Sequence, residues 1–425
     1  MLTVGGAALL ISMLVAFVGD APFAATVGLW VVLAVAVIAD LVMSRSGRKE
    51  ISVDYPAEVF VGETVALKLT ISNAPSALTG QIDWPEGLSG ETDLVFTTGA
   101  DGIARATVPC RAVRRGSWVC GHLWLLWTTR FGFFEYVPKL TLGAELRVVP
   151  NIRLIETGQI TSSVNSALFG VKENRAIGEG SEFHQLQDFV QGMDVKSIDW
   201  KRSARRRSLV AKELRAERNH HVIIALDNGY LMREEISGMP RIDHAITAAL
   251  ATAWAAAIGG DLVGFYSYDV RPRIFAAPTA GRKAFARLRS RTAEMSYVSR
   301  ETNHTLAMTE LNARTPKRSL IIIFTDFVDT TSAELLIENI AILARRHLVI
   351  FVTLRDPDLQ AMVAKAPETM DGVATLVAAN QSLDERRIVM ERLTRMGVTV
   401  VDTEPGKVTA QLISHYLEIK AKELI

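Results

Sequence analysis

The chain has 425 residues, which is enough for two or three domains that each bury a core of their own. Its 47 Lys and Arg residues nearly balance its 46 Asp and Glu residues, and the net charge of +1 gives no support to a general role in nucleic-acid binding. Only two cysteines are present, which argues against an extracellular fold built on disulfide bonds.

The amino-terminal segment, residues 1–44, has the pattern of a transmembrane hairpin. Residues 2–18 and 24–42 are two apolar runs, each close to the roughly 20 residues that cross a bilayer. The basic sequence RSGRK at 45–49 follows the second run, and basic residues stay on the cytoplasmic side of a membrane. We therefore expect a two-pass protein of the cell inner membrane with its soluble domains in the cytoplasm. A buried hairpin of two soluble helices is the alternative.

Residues 50–150 consist of short runs that alternate apolar and polar residues, with Gly and Pro between them. Valine, threonine and aromatic residues at period two predict an all-β sandwich of immunoglobulin-like type. In the run VGETVALKLTISN, one face of the predicted strand carries four apolar residues, Val65, Leu67, Leu69 and Ile71. Residues 151–177 lack a clear pattern and are predicted to be a linker.

Residues 218–425 alternate continuous apolar strands with helices, a pattern typical of a parallel sheet covered on both faces, as in Rossmann-type α/β domains. Asp227 and Asp326 follow two of these strands, and Thr305 comes directly before a helix. Ligands of such sheets bind beyond the carboxyl ends of the strands. The strand ends are therefore the first place to look for a binding site.

These three residues resemble the metal-ion-dependent adhesion site of the von Willebrand factor A domain. The resemblance implies a metal site formed by Asp227, Thr305 and Asp326. The two serines of the family's Asp-x-Ser-x-Ser motif are replaced by Gly229 and Leu231. Because Mg²⁺ requires near-octahedral oxygen ligation, this degenerate site is expected to hold no cofactor or only weakly bound Mg²⁺.

The segment between the two halves, residues 178–217, mixes acidic, aromatic and basic residues densely. Asp194 is predicted to cap a short helix, and residues 208–217 are predicted to be an extended segment at a domain edge. A cluster of cationic residues lies between the predicted helix cap and the predicted extended segment. The cluster is too dense for ion pairs within the helix to neutralise. The cluster is predicted to bind an acidic partner through Lys201, Arg202, Arg205, Arg206 and Arg207.

The motifs EF, QGMD and IDWKRSAR in this segment resemble the bacterial family catalogued as domain of unknown function number fifty-eight. The matching positions are Glu182, Phe183, Gly192, Asp194, Ile198, Asp199, Trp200, Ser203, Ala204 and Arg205. The resemblance covers nearly the whole chain. It implies a partner, since such proteins are commonly encoded beside MoxR-type AAA+ ATPases.

We expect a non-enzymatic function, because the sequence has no phosphate loop, no nucleophile elbow and no zinc-binding helix. The expected role is that of a membrane-anchored scaffold or adaptor that binds a MoxR-type AAA+ ATPase and client proteins in envelope protein assembly or maturation. The ATPase is expected to contact the surface around Asp227, Thr305 and Asp326. Two alternatives remain open: a hydrolase-type enzyme that uses the carboxylates of residues 178–217, and a sensor of anionic lipid that uses the cationic cluster.

Overall fold

The computed structural model describes residues 23–43, 50–75, 77–172, 182–215, 220–364, 369–422 and 424. The chain divides into two compact units, residues 1–149 and residues 150–425.

The described part of the first unit begins with one helix, α1 (Phe23–Met43). Asp40 in its last turn is buried and accepts a hydrogen bond of 2.5 Å from Thr129 Oγ1, so a polar contact with the β domain interrupts the apolar run. Within the described residues, no helix is long and apolar enough to cross a membrane. The predicted transmembrane hairpin of residues 1–44 and the inner-membrane location are therefore wrong. The first apolar run, residues 2–18, lies outside the described residues.

The rest of the first unit is a β domain. Its strands are β1 (Ile51–Asp54), β2 (Glu58–Phe60), β3 (Thr64–Ile71), β4 (Leu78–Ile82), β5 (Leu88–Gly90), β6 (Asp93–Thr98), β7 (Ala104–Ala112), β8 (Gly116–Thr128), β9 (Glu135–Tyr136) and β10 (Lys139–Val149). They follow the order β1-β3-β7-β6-β4-β8-β10-β2, with β5 beside β7 and β9 beside β8. Because β6 pairs with both β4 and β7, it joins two sheets.

The core of the β domain lies between these two sheets. Leu69 and Ile71 of β3 pack in one apolar cluster with Leu123 and Leu125 of β8. Burial alternates along the strands, as expected when one face of each strand covers a core. The predicted face of β3 is confirmed, since Leu67, Leu69 and Ile71 are buried and Val65 is half-buried.

The second unit begins with two helices, α2 (Arg153–Glu156) and α3 (Gln159–Lys172), in the segment predicted to be a linker. Thr161 of α3 accepts a hydrogen bond of 3.2 Å from Trp254 Nε1. The helix is therefore held by a tertiary contact that the sequence pattern of residues 151–177 did not reveal.

A small hairpin follows, and we call residues 182–215 the signature module. It consists of β11 (Glu182–Asp188), a 3₁₀ turn (Val195–Ser197), α4 (Trp200–Arg206) and β12 (Val210–Arg215). The two strands pair antiparallel, and a further bridge joins Ile198 to Ala211. The turn and α4 therefore lie between the two strands of one hairpin.

The remaining elements form an α/β domain. They are β13 (His221–Asp227), α5 (Tyr230–Arg233), β14 (Glu235–Ile236), β15 (Met239–Pro240), α6 (Arg241–Ile258), β16 (Leu262–Tyr268), β17 (Pro272–Ala280), α7 (Arg282–Ala293), α8 (His304–Arg314), β18 (Leu320–Phe324), α9 (Thr330–Ala344), β19 (Leu348–Leu354), α10 (Pro357–Ala364), α11 (Met370–Arg395), β20 (Thr399–Thr403) and α12 (Val408–Ala421).

Six of these strands form one sheet in the order β17-β16-β13-β18-β19-β20. Neighbouring strands are parallel except for β17, which runs antiparallel to β16. The central strands β13 and β18 are buried along almost their whole length. Both faces of the sheet are therefore covered, which explains why these strands are continuous apolar runs in the sequence.

The last helix is anchored by a buried ion pair. Lys420 Nζ of α12 lies 2.7 Å from Asp261 Oδ2, and Tyr416 Oη donates to the same oxygen at 2.6 Å. Lys420 Nζ also donates to the backbone oxygen of Gly259 at 2.8 Å. Because Asp261 is fully buried, its charge depends on these partners.

Replacing Lys420 with Met is expected to destabilise the second unit by about 3–5 kcal/mol, because it leaves the buried carboxylate of Asp261 without its cation. Urea unfolding followed by circular dichroism measures this change. Lys422→Met is the matched control, since Lys422 pairs with Glu418 on the exposed surface of the same helix. The control should leave the free energy of unfolding unchanged. Equal losses in the two variants would contradict the role given to the buried pair.

Candidate functional site

Two carboxylates lie where the strand order of the α/β sheet reverses. After β13 the chain forms β16 on one side of that strand and later β18 on the other side. The carboxyl ends of β13 and β18 are therefore neighbours. Asp227 is the last residue of β13, and Asp326 follows shortly after β18. Crevices at such reversal points are common ligand sites in α/β proteins.

Asp227 is buried, with 2% of its surface exposed. Its Oδ1 accepts hydrogen bonds from the Gly229 N–H at 2.8 Å and from Thr302 Oγ1 at 2.6 Å, and its Oδ2 accepts one from Thr325 Oγ1 at 2.6 Å. All three donors are neutral. Burial raises the pKa of Asp227 above its usual value. Within the described residues, no Lys or Arg side chain forms an ion pair with this carboxylate.

Asp326 differs from Asp227, because two of its hydrogen-bond donors are positively charged. Its Oδ2 accepts a hydrogen bond from Arg241 Nη1. Its Oδ1 accepts from Arg386 Nη1 at 2.9 Å, from Thr353 Oγ1 at 3.1 Å and from the Phe327 N–H at 2.9 Å. A carboxylate offers about four lone-pair positions. Three of the four donors bind Oδ1 and one binds Oδ2, so Oδ2 keeps one lone-pair position beside the guanidinium group of Arg241.

The contacts of Arg386 extend beyond Asp326. Its Nη2 lies 3.1 Å from Asp402 Oδ1, and Arg355 Nη2 lies 3.1 Å from Asp402 Oδ2. We call this group the edge network, and its members are Arg241, Asp326, Arg355, Arg386 and Asp402. It joins the carboxyl ends of β18, β19 and β20 to helices α6 and α11.

A cleft opens above Asp227, with a volume of about 390 Å³ including the open solvent at its mouth. Its lining residues are Asp227, Tyr230, Leu231, Glu301, Thr302, His304, Asp326, Phe327 and Val328. The buried Nδ1 atom of His304 has no hydrogen-bond partner within the described residues. Burial lowers the pKa of His304, so its imidazole is neutral at pH 7.

The three predicted metal ligands are not arranged as one ligand set. Thr305 Oγ1 accepts a hydrogen bond of 3.1 Å from Asn339 Nδ2, and Thr302 takes the position beside Asp227. Asp326 already accepts hydrogen bonds from the guanidinium groups of Arg241 and Arg386. Among the residues that the structure describes, no group of three or more His, Cys, Asp and Glu side chains is placed to hold a metal ion. The residues present therefore do not fit octahedral Mg²⁺.

The two replaced serine positions also fit this arrangement. A Cβ atom at Gly229 would lie 1.9 Å from Thr302 Oγ1, so a serine there would force Thr302 to give up its bond to Asp227. Leu231 presents an apolar side chain to the cleft where the motif has a hydroxyl. The two substitutions thus preserve the hydrogen bonds of Asp227 and make the cleft wall apolar.

Sequence reasoning missed four residues of this site: Arg241, Thr302, His304 and Arg386. The polar run ETNHT before α8 was a usable signal for Thr302 and His304, since a loop before a helix at this edge faces the strand ends. No comparable signal exists for Arg386. It lies within the long helix α11, 60 positions from Asp326, and resembles any solvent-facing arginine.

In the signature module, the acidic residues serve as helix caps. The Asp194 carboxylate accepts a hydrogen bond of 3.0 Å from the Lys196 N–H, which confirms the predicted cap. The Asp199 carboxylate accepts one of 3.1 Å from the Arg202 N–H and lies 3.5 Å from Lys212 Nζ. The bond from Arg202 lowers the pKa of Asp199. A carboxylate held in this way is a poor general acid.

Ser203 links α4 to β12, because its Oγ accepts a hydrogen bond of 2.9 Å from the Val210 N–H. Gly192 has a φ of 111°, a conformation that favours glycine. The side chains of Glu182 and Phe183 lie outside the described part of the structure. Four matched residues, Gly192, Asp194, Asp199 and Ser203, therefore have structural roles in a turn, two helix caps and the contact between α4 and β12.

The predicted partner-binding residues Lys201, Arg202, Arg205, Arg206 and Arg207 are all exposed. Arg206 Nη1 lies 3.8 Å from Asp188 Oδ1, and both side chains are mostly exposed. Three of the cations form no ion pair with any residue that the structure describes, and these are Lys201, Arg205 and Arg207. Two apolar side chains accompany the cluster: Trp200 is 65% exposed and Leu209 is 47% exposed.

Two solved structures illustrate the distant similarity of this chain to known proteins. A conserved hypothetical protein BatB from Bacteroides thetaiotaomicron is 16% identical over 48% of this chain and 100% of that chain, with a TM-score of 0.34. An aerotolerance-related membrane protein from Bacteroides fragilis is 13% identical over 47% of this chain and 99% of that chain, with a TM-score of 0.30. These likenesses are too weak to carry an argument. No curated protein matches the chain.

The family resemblance is confirmed by a family model that matches residues 185–385, a range that includes most of the signature module and both Asp227 and Asp326. The model that matches this range is described as Protein of unknown function DUF58.

Proposed function

We propose that this chain is a non-enzymatic adaptor that binds a MoxR-type AAA+ ATPase and holds client proteins during their assembly or maturation. The observation that carries the proposal is the exposed cationic cluster on the signature module. Lys201 and Arg205, and likewise Arg202 and Arg206, are four positions apart on α4, where like charges destabilise a helix. A binding partner with acidic groups would relieve this repulsion.

The apolar residues beside the cluster support a protein partner. Trp200 and Leu209 expose large apolar side chains next to the cations. Tryptophan and arginine are the residues that most often dominate the free energy of protein association. A partner that fits this surface combines acidic side chains with an apolar pocket.

The same module gives little support to the hydrolase alternative. Asp194 and Asp199 bind backbone N–H groups of the module, and Asp188 contacts Arg206. A catalytic pair needs carboxyl groups that face a substrate and hold a proton near neutral pH. Capping carboxylates with strong donors do neither.

The identity of the ATPase partner rests on the family resemblance, and the contact surface rests on the module. Charge reversal tests the two together. We expect the double variant Lys201→Glu, Arg205→Glu to bind the purified ATPase at least about tenfold more weakly than the unchanged chain, since the attraction to acidic groups becomes repulsion. Biolayer interferometry at two salt concentrations measures the affinity and its screening.

A matched control has the same change in net charge elsewhere. Lys283 and Lys317 are exposed and lie outside the signature module, so Lys283→Glu, Lys317→Glu should bind within about threefold of the unchanged chain. Equal weakening in the two double variants would show a general charge effect and would remove the assignment of the contact to α4.

Trp200→Ala tests the apolar part of the surface. Because Trp200 is mostly exposed, the substitution should change the free energy of unfolding by no more than about 0.5 kcal/mol. Affinity for the ATPase should fall at least about tenfold, as at other tryptophan anchors. Thermal unfolding and interferometry on the same samples separate the two effects. Unchanged affinity would exclude Trp200 from the interface.

We also propose that the adaptor binds its partner without a metal ion, because two arginines already pair with Asp326 and would repel a divalent cation. Calorimetric titration of Mg²⁺ or Mn²⁺ into the full chain should give no site-specific heat, and EDTA should leave the affinity for the nucleotide-free ATPase unchanged. Asp227→Ala serves as the control. Metal binding at millimolar concentration that disappears in Asp227→Ala would show that a water-filled metal site exists after all.

A further inference from the structure

We propose that the cleft above Asp227 binds a cationic side chain, lysine or arginine, that a partner protein presents. This surface belongs to the α/β domain, and the inference goes beyond the contact proposed for the signature module. It rests on four features of the cleft: the charge of Asp227, the hydrogen-bonding groups of the wall, the acidic mouth and the apolar lining.

Among the residues that the structure describes, no Lys or Arg side chain pairs with Asp227. Asp326, the neighbouring carboxylate, receives two guanidinium groups from Arg241 and Arg386. Asp227 receives only hydroxyl and N–H donors, although it is at least as deeply buried. A buried carboxylate is costly unless a cation accompanies it. The cleft that opens at Asp227 gives an external cation access to this position.

The two carboxylates supply hydrogen-bond acceptors to the cleft, and the Tyr230 hydroxyl and the His304 ring can accept as well as donate. Thr302 directs its hydroxyl proton to Asp227, so it does not offer that proton to a ligand. His304 is neutral, and its buried Nδ1 has no partner within the described residues. Glu301 adds a second carboxylate. Lysine and arginine side chains donate hydrogen bonds and have no acceptor atom, so they complement the acceptors of the cleft.

The mouth of the cleft is acidic and its walls are apolar. Burial is the main cause that raises the pKa of the Tyr230 hydroxyl. The nearby carboxylates of Glu301, Glu234 and Asp329 raise this pKa further. Leu231, Phe327 and Val328 supply apolar side chains to the walls. Long cationic side chains pack their carbon stems on such surfaces while their charged ends reach polar groups. An acidic side chain would be repelled at this mouth.

A divalent metal ion fits this cleft less well than a cationic side chain. Mg²⁺ takes six oxygen ligands in near-ideal geometry. The cleft brings together the buried carboxylate of Asp227, the exposed carboxylate of Glu301 and one imidazole, and the carboxylate of Asp326 is already paired with two guanidinium groups. An ammonium or guanidinium group carries one positive charge and requires only hydrogen-bond acceptors that lie in the directions of its N–H bonds.

The test compares two peptides that differ in charge and have nearly the same shape. The full chain is titrated with acetyl-Gly-Arg-Gly-amide and with the citrulline analogue, and ligand-observed NMR gives the two affinities. We expect the arginine peptide to bind with a millimolar dissociation constant. The citrulline peptide should bind at least about tenfold more weakly, because citrulline lacks the positive charge. Equal affinities would overturn the proposal.

Variants locate the binding site. Glu301→Gln removes one charge from an exposed position and should weaken the arginine peptide several-fold without affecting folding. Leu231→Lys places an ammonium group in the cleft and should abolish binding. The variant Lys201→Glu, Arg205→Glu should bind the arginine peptide like the unchanged chain, so that failure of this proposal is distinguishable from failure of the proposed function. Unchanged binding in Glu301→Gln would overturn the assignment. Displacement of the peptide by Mg²⁺ at about 1 mM, the concentration that weak protein sites require, would also overturn it.

Discussion

The pairing of Asp326 with Arg241 and Arg386 organises the carboxyl edge of the α/β sheet. Arg241 is the first residue of α6 and Arg386 lies in the middle of α11, so one carboxylate joins two helices to the loop that follows β18. All three side chains are largely buried, with 5% to 16% of their surfaces exposed. Loss of one partner would leave an unpaired buried charge, which is strongly destabilising. The wall of the cleft formed by Phe327 and Val328 therefore has a fixed position.

This pairing also explains why two neighbouring carboxylates differ in their chemistry. The guanidinium groups on Asp326 supply inside the domain the positive charge that a metal ion would otherwise bring. They would also repel a divalent cation that approached Asp326. Asp227 accepts its hydrogen bonds from neutral groups, and no Lys or Arg side chain in the described part of the chain pairs with it. The two arginines thus provide positive charge at Asp326 from within the domain, and the cationic ligand that we propose would provide it at Asp227.

Local features of the fold were predictable from the sequence, because they depend on neighbouring residues. The apolar run HVIIALD placed Asp227 at a strand end, and Asp194 followed by VKS placed a cap. Contacts between distant residues were not predictable in this way. Thr302 meets Asp227 across 75 positions and Arg386 meets Asp326 across 60, and no periodicity in the sequence encodes either pairing.

The predicted transmembrane hairpin failed for a related reason. Hydropathy over residues 24–42 treats Asp40 as one unfavourable residue at the end of an apolar run. In the structure this carboxylate is buried against Thr129 and the N–H groups of Phe131 and Phe133. A side chain that costs free energy in one environment is stabilised in another by partners about 90 positions away. Sequence composition alone does not distinguish the two environments.

The two exposed surfaces of the second unit place a constraint on any partner that uses both. The signature module presents the cations Lys201 and Arg205, while Glu301 and Asp329 make the mouth of the cleft acidic. A uniformly acidic protein would satisfy the module and be repelled by the cleft, and a uniformly basic protein would show the reverse. Specific binding arises from such repulsion as much as from attraction. The adaptor role that we propose would therefore favour partners that display both charges, because two weak contacts on one partner reinforce each other when both can form at once.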